Sequence, residues 1–371
     1  RAGGADLSSY EVLDAASKAV LPGFVDSHTH LVFAGDRSEE YGWRLLGMSY
    51  MDILQRGGGI LTTVRATRSA SCEELVALGQ RRLDSMLAFG VTTVEGKSGY
   101  GLNRATEIRQ LEAMGDLDRT HPVDVVPTFM GAHAVPPEYK GRSDAFIDFL
   151  IGDVLPEVAG RGLAEFCDVF CEQGVFSIEQ SRRLLTAATR AGLKPKLHAD
   201  EIVPLGGAEL AAEVGAVSAD HLLHASDEGI RRMADAGVVA TLLPTTAFSL
   251  REPYARGRAM IDAGGAVALA TDFNPGSCFS ESIPLVAALA AIHLQLSAEE
   301  IVTGLTLNGA AALGRADRIG SLEPGKQGDL VVLEHPSYRF IPYHLGVSTV
   351  ETVVKRGTVV FDKLSHGHIR C

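Results

Sequence analysis

His28 and His30 flank a single threonine just after an apolar run. Residues two apart on an extended chain point the same way, so both imidazoles can reach one ion. The same ending recurs further on. His198 and Glu201 follow Leu193–Leu197, His221 closes Ser218-Ala-Asp-His221, and Asp272 ends the run Ala266–Thr271. A lone histidine is more often a satisfied core residue than a ligand, but four strand ends finishing on His, His, His and Asp point to a shared metal. Three imidazoles and a carboxylate suit a borderline ion with an open coordination position. Such an ion lowers the pKa of water and polarises a carbonyl, which is the chemistry of hydrolysis. Glu201, three residues beyond His198, is placed to move a proton rather than to bind the ion. Its plainer alternative is a solvated loop charge.

The elements that must position these groups alternate in type. Strand candidates are Val20–Val25, Val91–Val94, Val123–Phe129, Cys167–Phe170, Lys194–Leu197, Val217–Leu222, Val238–Leu243 and Ala266–Ala270. Helix-like segments lie between them at Cys72–Phe89, Arg104–Leu117, Ile178–Ala191, Gly206–Val214 and Asp227–Ala236. Eight strands separated by helices predict a parallel (β/α)8 barrel, whose active groups gather at the carboxyl ends of the strands. A doubly wound sheet competes, yet no Gly-x-Gly-x-x-Gly opens a helix after an early strand. From about residue 319 the pattern changes to strand runs, Ile319–Leu333 and Val350–Val360, joined by Gly/Pro turns without a helix. This predicts a small all-β unit, to which Glu11–Asp14 could add a strand from the other end. The expected division is 1–19 and 319–371 for the small unit and 20–318 for the barrel.

The 371 residues are 46% hydrophobic and 22% charged, with a formal charge of −12, which describes a globular acidic protein. That charge and the lack of a Lys/Arg run argue against a nucleic-acid partner, and a small-molecule substrate is expected. An anionic ligand would need a few well-placed Arg, His or N–H groups. Cys72, Cys167, Cys171, Cys278 and Cys371 form neither a zinc-finger spacing nor a secreted disulfide pattern. No signal-peptide core or membrane-length apolar run is present, so a cytoplasmic protein without a membrane partner is expected. The first residue is not Met, and the N-terminal part of the small unit is expected to be truncated. Gly57–Ile60 and Gly96–Gly99 lack phosphate-loop spacing and read as active-site loops.

Leu21-Pro-Gly-Phe-Val-Asp-Ser-His-Thr-His30 resembles the opening motif of the amidohydrolase superfamily. His198, His221, Thr271-Asp272, Gly320-Ser-Leu-Glu-Pro-Gly-Lys326 and Gly328-Asp-Leu330 resemble its later motifs. Five segments are further similar to the imidazolonepropionase family: His28–Arg37, Glu95–Gly101, Phe129–His133, His198–Glu201 and Thr271–Ser277. The resemblance covers essentially the whole chain. It implies a distorted (β/α)8 TIM barrel with a small β-sandwich built from both chain ends. Two-metal members carry a carbamylated Lys in the fourth-strand region, and Asp168–Gln173 has none. The resemblance therefore implies one zinc or iron ion, held by His28, His30, His198 and Asp272.

It further implies hydrolysis of 4-imidazolone-5-propanoate to N-formimidoyl-L-glutamate in histidine degradation. Arg37 would pair with the propionate tail, with Tyr100 and His133 as further donors. Glu201 would bind a ring N–H, and Asn274, Gly276 and Ser277 would contact the opened product. Asp272 or His221 would take the proton from the attacking water, His221 would steady the oxyanion, and Glu201 would protonate the leaving nitrogen. Arg37 has the plainer alternative of a surface ion pair with a nearby Glu, and Tyr100 that of capping a Gly-rich turn. The rival functions are a purine- or pyrimidine-type deaminase on the same scaffold and a non-catalytic structural relative. A homodimer is a common outcome for barrels of this size.

Overall fold

Short runs of β-branched and apolar residues form one parallel eight-stranded sheet in a computed structural model, which describes residues 12–48, 52 and 56–366. In chain order the first nine strands are β1 (Val20–Pro22), β2 (Phe24–Asp26), β3 (Val91–Lys97), β4 (Asp124–Ala132), β5 (Phe166–Cys171), β6 (Lys194–Ala199), β7 (Ser218–His221), β8 (Val239–Leu242) and β9 (Val267–Leu269). β2 to β9 lie side by side in sequence order, every neighbouring pair parallel. Helices return the chain between them, several opening on capping boxes such as Ser71/Glu74, Ser177/Gln180 and Ser297/Glu300.

The ring closes beyond the strand ends rather than by a β2–β9 ladder. His30 N–H donates to the Phe273 carbonyl (2.9 Å) and Asp272 N–H to that of His28 (3.0 Å). The Thr271 N–H and hydroxyl both donate to the Asp26 carboxylate, at 3.0 and 2.6 Å. Closure therefore ties the segment carrying His28 and His30 directly to the one carrying Asp272.

Val20–Val25, expected as one barrel strand, feeds two sheets. Val20–Pro22 pairs antiparallel with β10 (Leu330–Leu333), while Phe24–Asp26 pairs with β3. The break falls at Gly23, where a Cβ would stand 2.3 Å from Thr92 Oγ1, so only glycine allows the approach. The small sheet thus reaches past residue 19. It is one four-stranded antiparallel sheet of β1, β10, β11 (Val350–Lys355) and β12 (Thr358–Asp362). Arg356 (φ 50°) and Gly357 (φ 81°) form the two-residue turn between β11 and β12, a hairpin geometry that suits strand twist. Within Ile319–Leu333 only Leu330–Leu333 is strand, and a one-turn helix, Phe340–Tyr343, interrupts the region expected to lack helices. Glu11 lies outside the described residues, and Val12–Asp14 form no strand. Among the described residues no helix is long and apolar enough to cross a membrane.

The barrel interior is not purely branched aliphatic. Glu95 and Lys97 on β3, Asp168 on β5, Lys196 on β6 and Asp220 on β7 are all 0% exposed and lie beneath the strand ends.

Candidate active site

Strand ends bring the expected ligands together. His28 Nε2 lies 3.4 Å from Asp272 Oδ1, His30 Nε2 lies 3.8 Å from the same oxygen, and His198 Nε2 lies 3.4 Å from His30 Nε2. Donors at 2.0–2.1 Å from a tetrahedral ion stand about 3.4 Å apart, so this spacing is that of a shared ion. The ring tautomers agree. His28 Nδ1 is 2.7 Å from Asp220 Oδ2, and His198 Nδ1 is 3.0 Å from Asp168 Oδ1. A carboxylate only accepts, so each Nδ1 carries the hydrogen and each Nε2 keeps its lone pair. His28 Nε2 is buried with no hydrogen-bond partner, an arrangement costly without a cation. Burial first, and neighbouring basic groups second, hold the pKa values of His28, His30 and His198 well below the usual histidine value, so the rings stay neutral and able to ligate. The residues present therefore fit one borderline metal.

His221 borders this centre, with a ring nitrogen within 4.8 Å of those of His28 and His198. Neither of its ring nitrogens has a hydrogen-bond partner, and burial lowers its pKa to about 4. Its Nε2 is 3.6 Å from Glu201 Oε2. The Glu201 carboxyl is largely buried, which raises its pKa to about 8, with Asp272 adding to the shift. The solvated-charge alternative for Glu201 does not hold. Asp200 (φ 49°), His221 (φ 73°), Leu222 (φ 60°) and Asp272 (φ 52°) are all left-handed non-glycine residues at strand ends. Each such residue costs about 1–3 kcal/mol, and two of them, His221 and Asp272, line the cavity over the centre.

A cavity of about 600 Å³ opens over the centre, lined by His30, Arg37, Tyr100, His133, His198, Glu201, His221, Asp272, Asn274, Gly276 and Ser277. Every residue expected at the site thus faces it except His28, which lies fully buried beneath. Arg37 does form the ion pair weighed as its plainer alternative. Its Nε donates to Glu40 Oε2 (3.0 Å) and its Nη2 to Oε1. The pair is mostly buried, however, and it leaves Nη1 against Gly276, where an added Cβ would stand only 2.1 Å away. His133 stacks on His30 (4.8 Å between centroids), and the Tyr100 ring lies 5.3 Å from His133. Asn274 uses its amide to build the loop after β9. It donates to the Asp272 carbonyl (2.7 Å) and Ser277 Oγ (2.8 Å), and accepts from the Gly276 and Ser277 N–H groups (both 2.8 Å). A larger cavity, about 780 Å³, lies at the opposite end of the barrel. Its charges are already paired, Arg315 with Glu165 and Arg356 with Asp124.

Sequence reasoning passed over the residues that hold these loops. Glu107, on the helix Arg104–Thr120, accepts the N–H groups of Gly99, Gly101 and Leu102, and Gln110 one turn on accepts that of Tyr100. Arg82 donates to the Leu31 and Phe33 carbonyls and lies 3.6 Å from the Phe33 ring centroid. Asp200 gathers the N–H groups of Leu205, Gly206, Gly207 and Ala208, and Glu172 accepts that of Ile202, so Glu201 sits between two anchored neighbours. On the sequence such polar residues read as exposed, and no local pattern marks them as loop anchors.

Comparison with known proteins agrees with this geometry. A model of the amidohydrolase family matches residues 46–361. The chain is 64% identical over 354 residues to the imidazolonepropionase of Clostridium tetani, covering 95% of this chain and 84% of that protein. It is 67% identical over 346 residues to that of Bacteroides fragilis, covering 93% and 83%. Among solved structures it resembles a 5-methylcytosine deaminase from Klebsiella pneumoniae liganded with phosphonocytosine (TM-score 0.74, 17% identity, 96% and 91% covered). It also resembles a zinc-bound adenosine deaminase from Xanthomonas campestris (TM-score 0.67, 20% identity, 94% and 83% covered). At such identity the structural likeness concerns the fold alone.

Proposed function

The chain belongs to the amidohydrolase family and within it to the imidazolonepropionases, and on that premise we propose that it hydrolyses 4-imidazolone-5-propanoate to N-formimidoyl-L-glutamate. One zinc or iron ion would be held by His28, His30, His198 and Asp272. When bound it polarises the ring carbonyl and makes water a stronger acid. The remaining work falls to side chains. Arg37 Nη1, free of Glu40, binds the propionate tail, with Tyr100 and His133 bordering the ring. Ser277 and Gly276 wall the tail on a loop fixed by Asn274. His221, neutral and without an internal partner, hydrogen-bonds the developing oxyanion or accepts the water proton. Asp272 Oδ2 is held by the Thr246 hydroxyl (2.7 Å), which fixes the carboxylate where it can share that proton. Glu201, raised to about 8, is protonated at neutral pH and can deliver its proton to the leaving ring nitrogen.

The observation that carries the substrate assignment is the Arg37 guanidinium in the pocket wall: a neutral purine or pyrimidine has no carboxylate for it to bind. The test is to offer 4-imidazolone-5-propanoate, cytosine and adenine side by side. Consumption of the imidazolone alone is expected, and ammonia release from either base with the imidazolone untouched would overturn the assignment.

A further inference from the structure

Beneath the proposed ligands lies a closed set of charges that the mechanism does not use. Lys97 Nζ stands 2.6 Å from Asp168 Oδ2, 3.0 Å from Glu95 Oε2 and 3.3 Å from Asp220 Oδ2. Lys196 Nζ holds Glu95 Oε1 at 2.8 Å, and the Thr128 hydroxyl donates to the same oxygen at 2.5 Å. The Ser218 hydroxyl fixes Asp220 Oδ1 at 2.7 Å, and Asp168 Oδ1 also accepts the backbone N–H of His198 at 3.1 Å. One carboxylate is enough to balance the charge of a buried lysine. Here one ammonium instead joins the two carboxylates that stand behind two different ligand histidines.

We propose that Asp168 and Asp220, tied together by Lys97, are positioning residues that fix His198 and His28 in the tautomer and ring orientation the metal requires. Each carboxylate holds Nδ1–H from behind, so Nε2 points into the shared centre without a search over ring rotations. The charges add in the same sense: two lysines against Glu95, Asp168 and Asp220 leave a net of −1 under the cation. This inference rests on the reading that His28, His30, His198 and Asp272 hold the ion.

The test is the zinc dissociation constant of the purified protein, measured by competition with a chromophoric chelator, with thermal unfolding of each metal-free form alongside. Asp168→Asn and Asp220→Asn keep the shape but weaken the acceptor, and 10- to 100-fold looser zinc is expected. Glu95→Gln changes the buried charge equally but removes no hydrogen bond to either ligand histidine, whose Nδ1 partners are Asp220 and Asp168, so a clearly smaller loss is expected. Zinc affinity within twofold of wild type in both Asn variants would overturn the proposal. So would a Glu95→Gln loss as large as theirs, since the effect would then be one of field and not of position. If either Asn variant fails to fold, Ser218→Ala decides, because it removes only a neutral donor to Asp220. Several-fold weaker zinc there supports the proposal, and wild-type affinity overturns it. His30→Ala, run in parallel, tests the ligand reading separately, because unchanged zinc binding there strikes the ligand set itself.

Discussion

Replacing Gly276 with alanine isolates the contact that reads the substrate's tail. Gly276 does not occupy the left-handed region, so alanine brings no backbone strain, and the effect must come through its Cβ. That atom would sit 2.1 Å from Arg37 Nη1 and 3.0 Å from Arg37 Cζ, while ordinary contact begins at 3.4 Å. Nη1 must therefore withdraw by about 1.3 Å (3.4 − 2.1), against an anchor in which Glu40 already holds Nε and Nη2. A charge-assisted hydrogen bond contributes about 1.5–3 kcal/mol. Losing the one to the tail should therefore lower kcat/KM by roughly 10- to 150-fold. Tail binding is present in ground and transition states alike, so most of the loss should appear in KM. The assay is disappearance of freshly generated 4-imidazolone-5-propanoate, repeated with an analogue whose tail carboxylate is replaced by an amide. Wild type and variant should differ little on the analogue. A variant within twofold of wild type on the true substrate would refute the placement of Arg37, as would an equal loss on both compounds.

Glu201→Gln should keep its metal, by elemental analysis, and lose about 10²- to 10⁴-fold in kcat; unchanged turnover would remove Glu201 from the mechanism. Its raised pKa sets the sign of a pH effect. The acid form is present below about 8 and lost above it, so kcat of the wild type should fall as pH rises through 8. Glu107→Gln keeps one oxygen to accept but turns its NH₂ towards a buried N–H, that of Gly99 if the oxygen stays with Gly101 and Leu102. At about 1–3 kcal/mol for an unsatisfied donor, a clear drop in melting temperature and a raised KM are expected, and an unmoved melting temperature would show that the loop is held otherwise. Removing the metal with a chelator should lower the melting temperature by calorimetry. At 100 times its Kd a bound ion contributes about 2.7 kcal/mol, and identical curves with and without chelator would mean that no ion binds the folded chain.

The barrel was readable because each strand is a short β-branched run separated from the next by a helix with clear caps, and because its ligands follow those runs directly. Val20–Val25 misled because hydrophobicity is the same on both sides of Gly23. The change of sheet there comes from the close approach of Thr92, which no local pattern records. The ligand histidines and the pocket residues were found from their place after strands and from motif resemblance. Lys97, Asp168, Lys196 and Asp220 were not, since a charge inside a strand looks like a solvent-facing residue until the barrel closes around it. Glu107 and Gln110 escaped for the same reason: on a helix they read as exposed surface, and only the neighbouring loop shows that they are buried donors' partners.

The most direct test combines turnover and metal content on one sample of purified protein supplied with freshly generated 4-imidazolone-5-propanoate. The expected result is loss of imidazolone absorbance with matching N-formimidoyl-L-glutamate, close to one zinc or iron per chain, activity abolished by a chelator and restored by the metal. Metal-loaded protein that leaves the imidazolone to decay at its spontaneous rate would contradict the account.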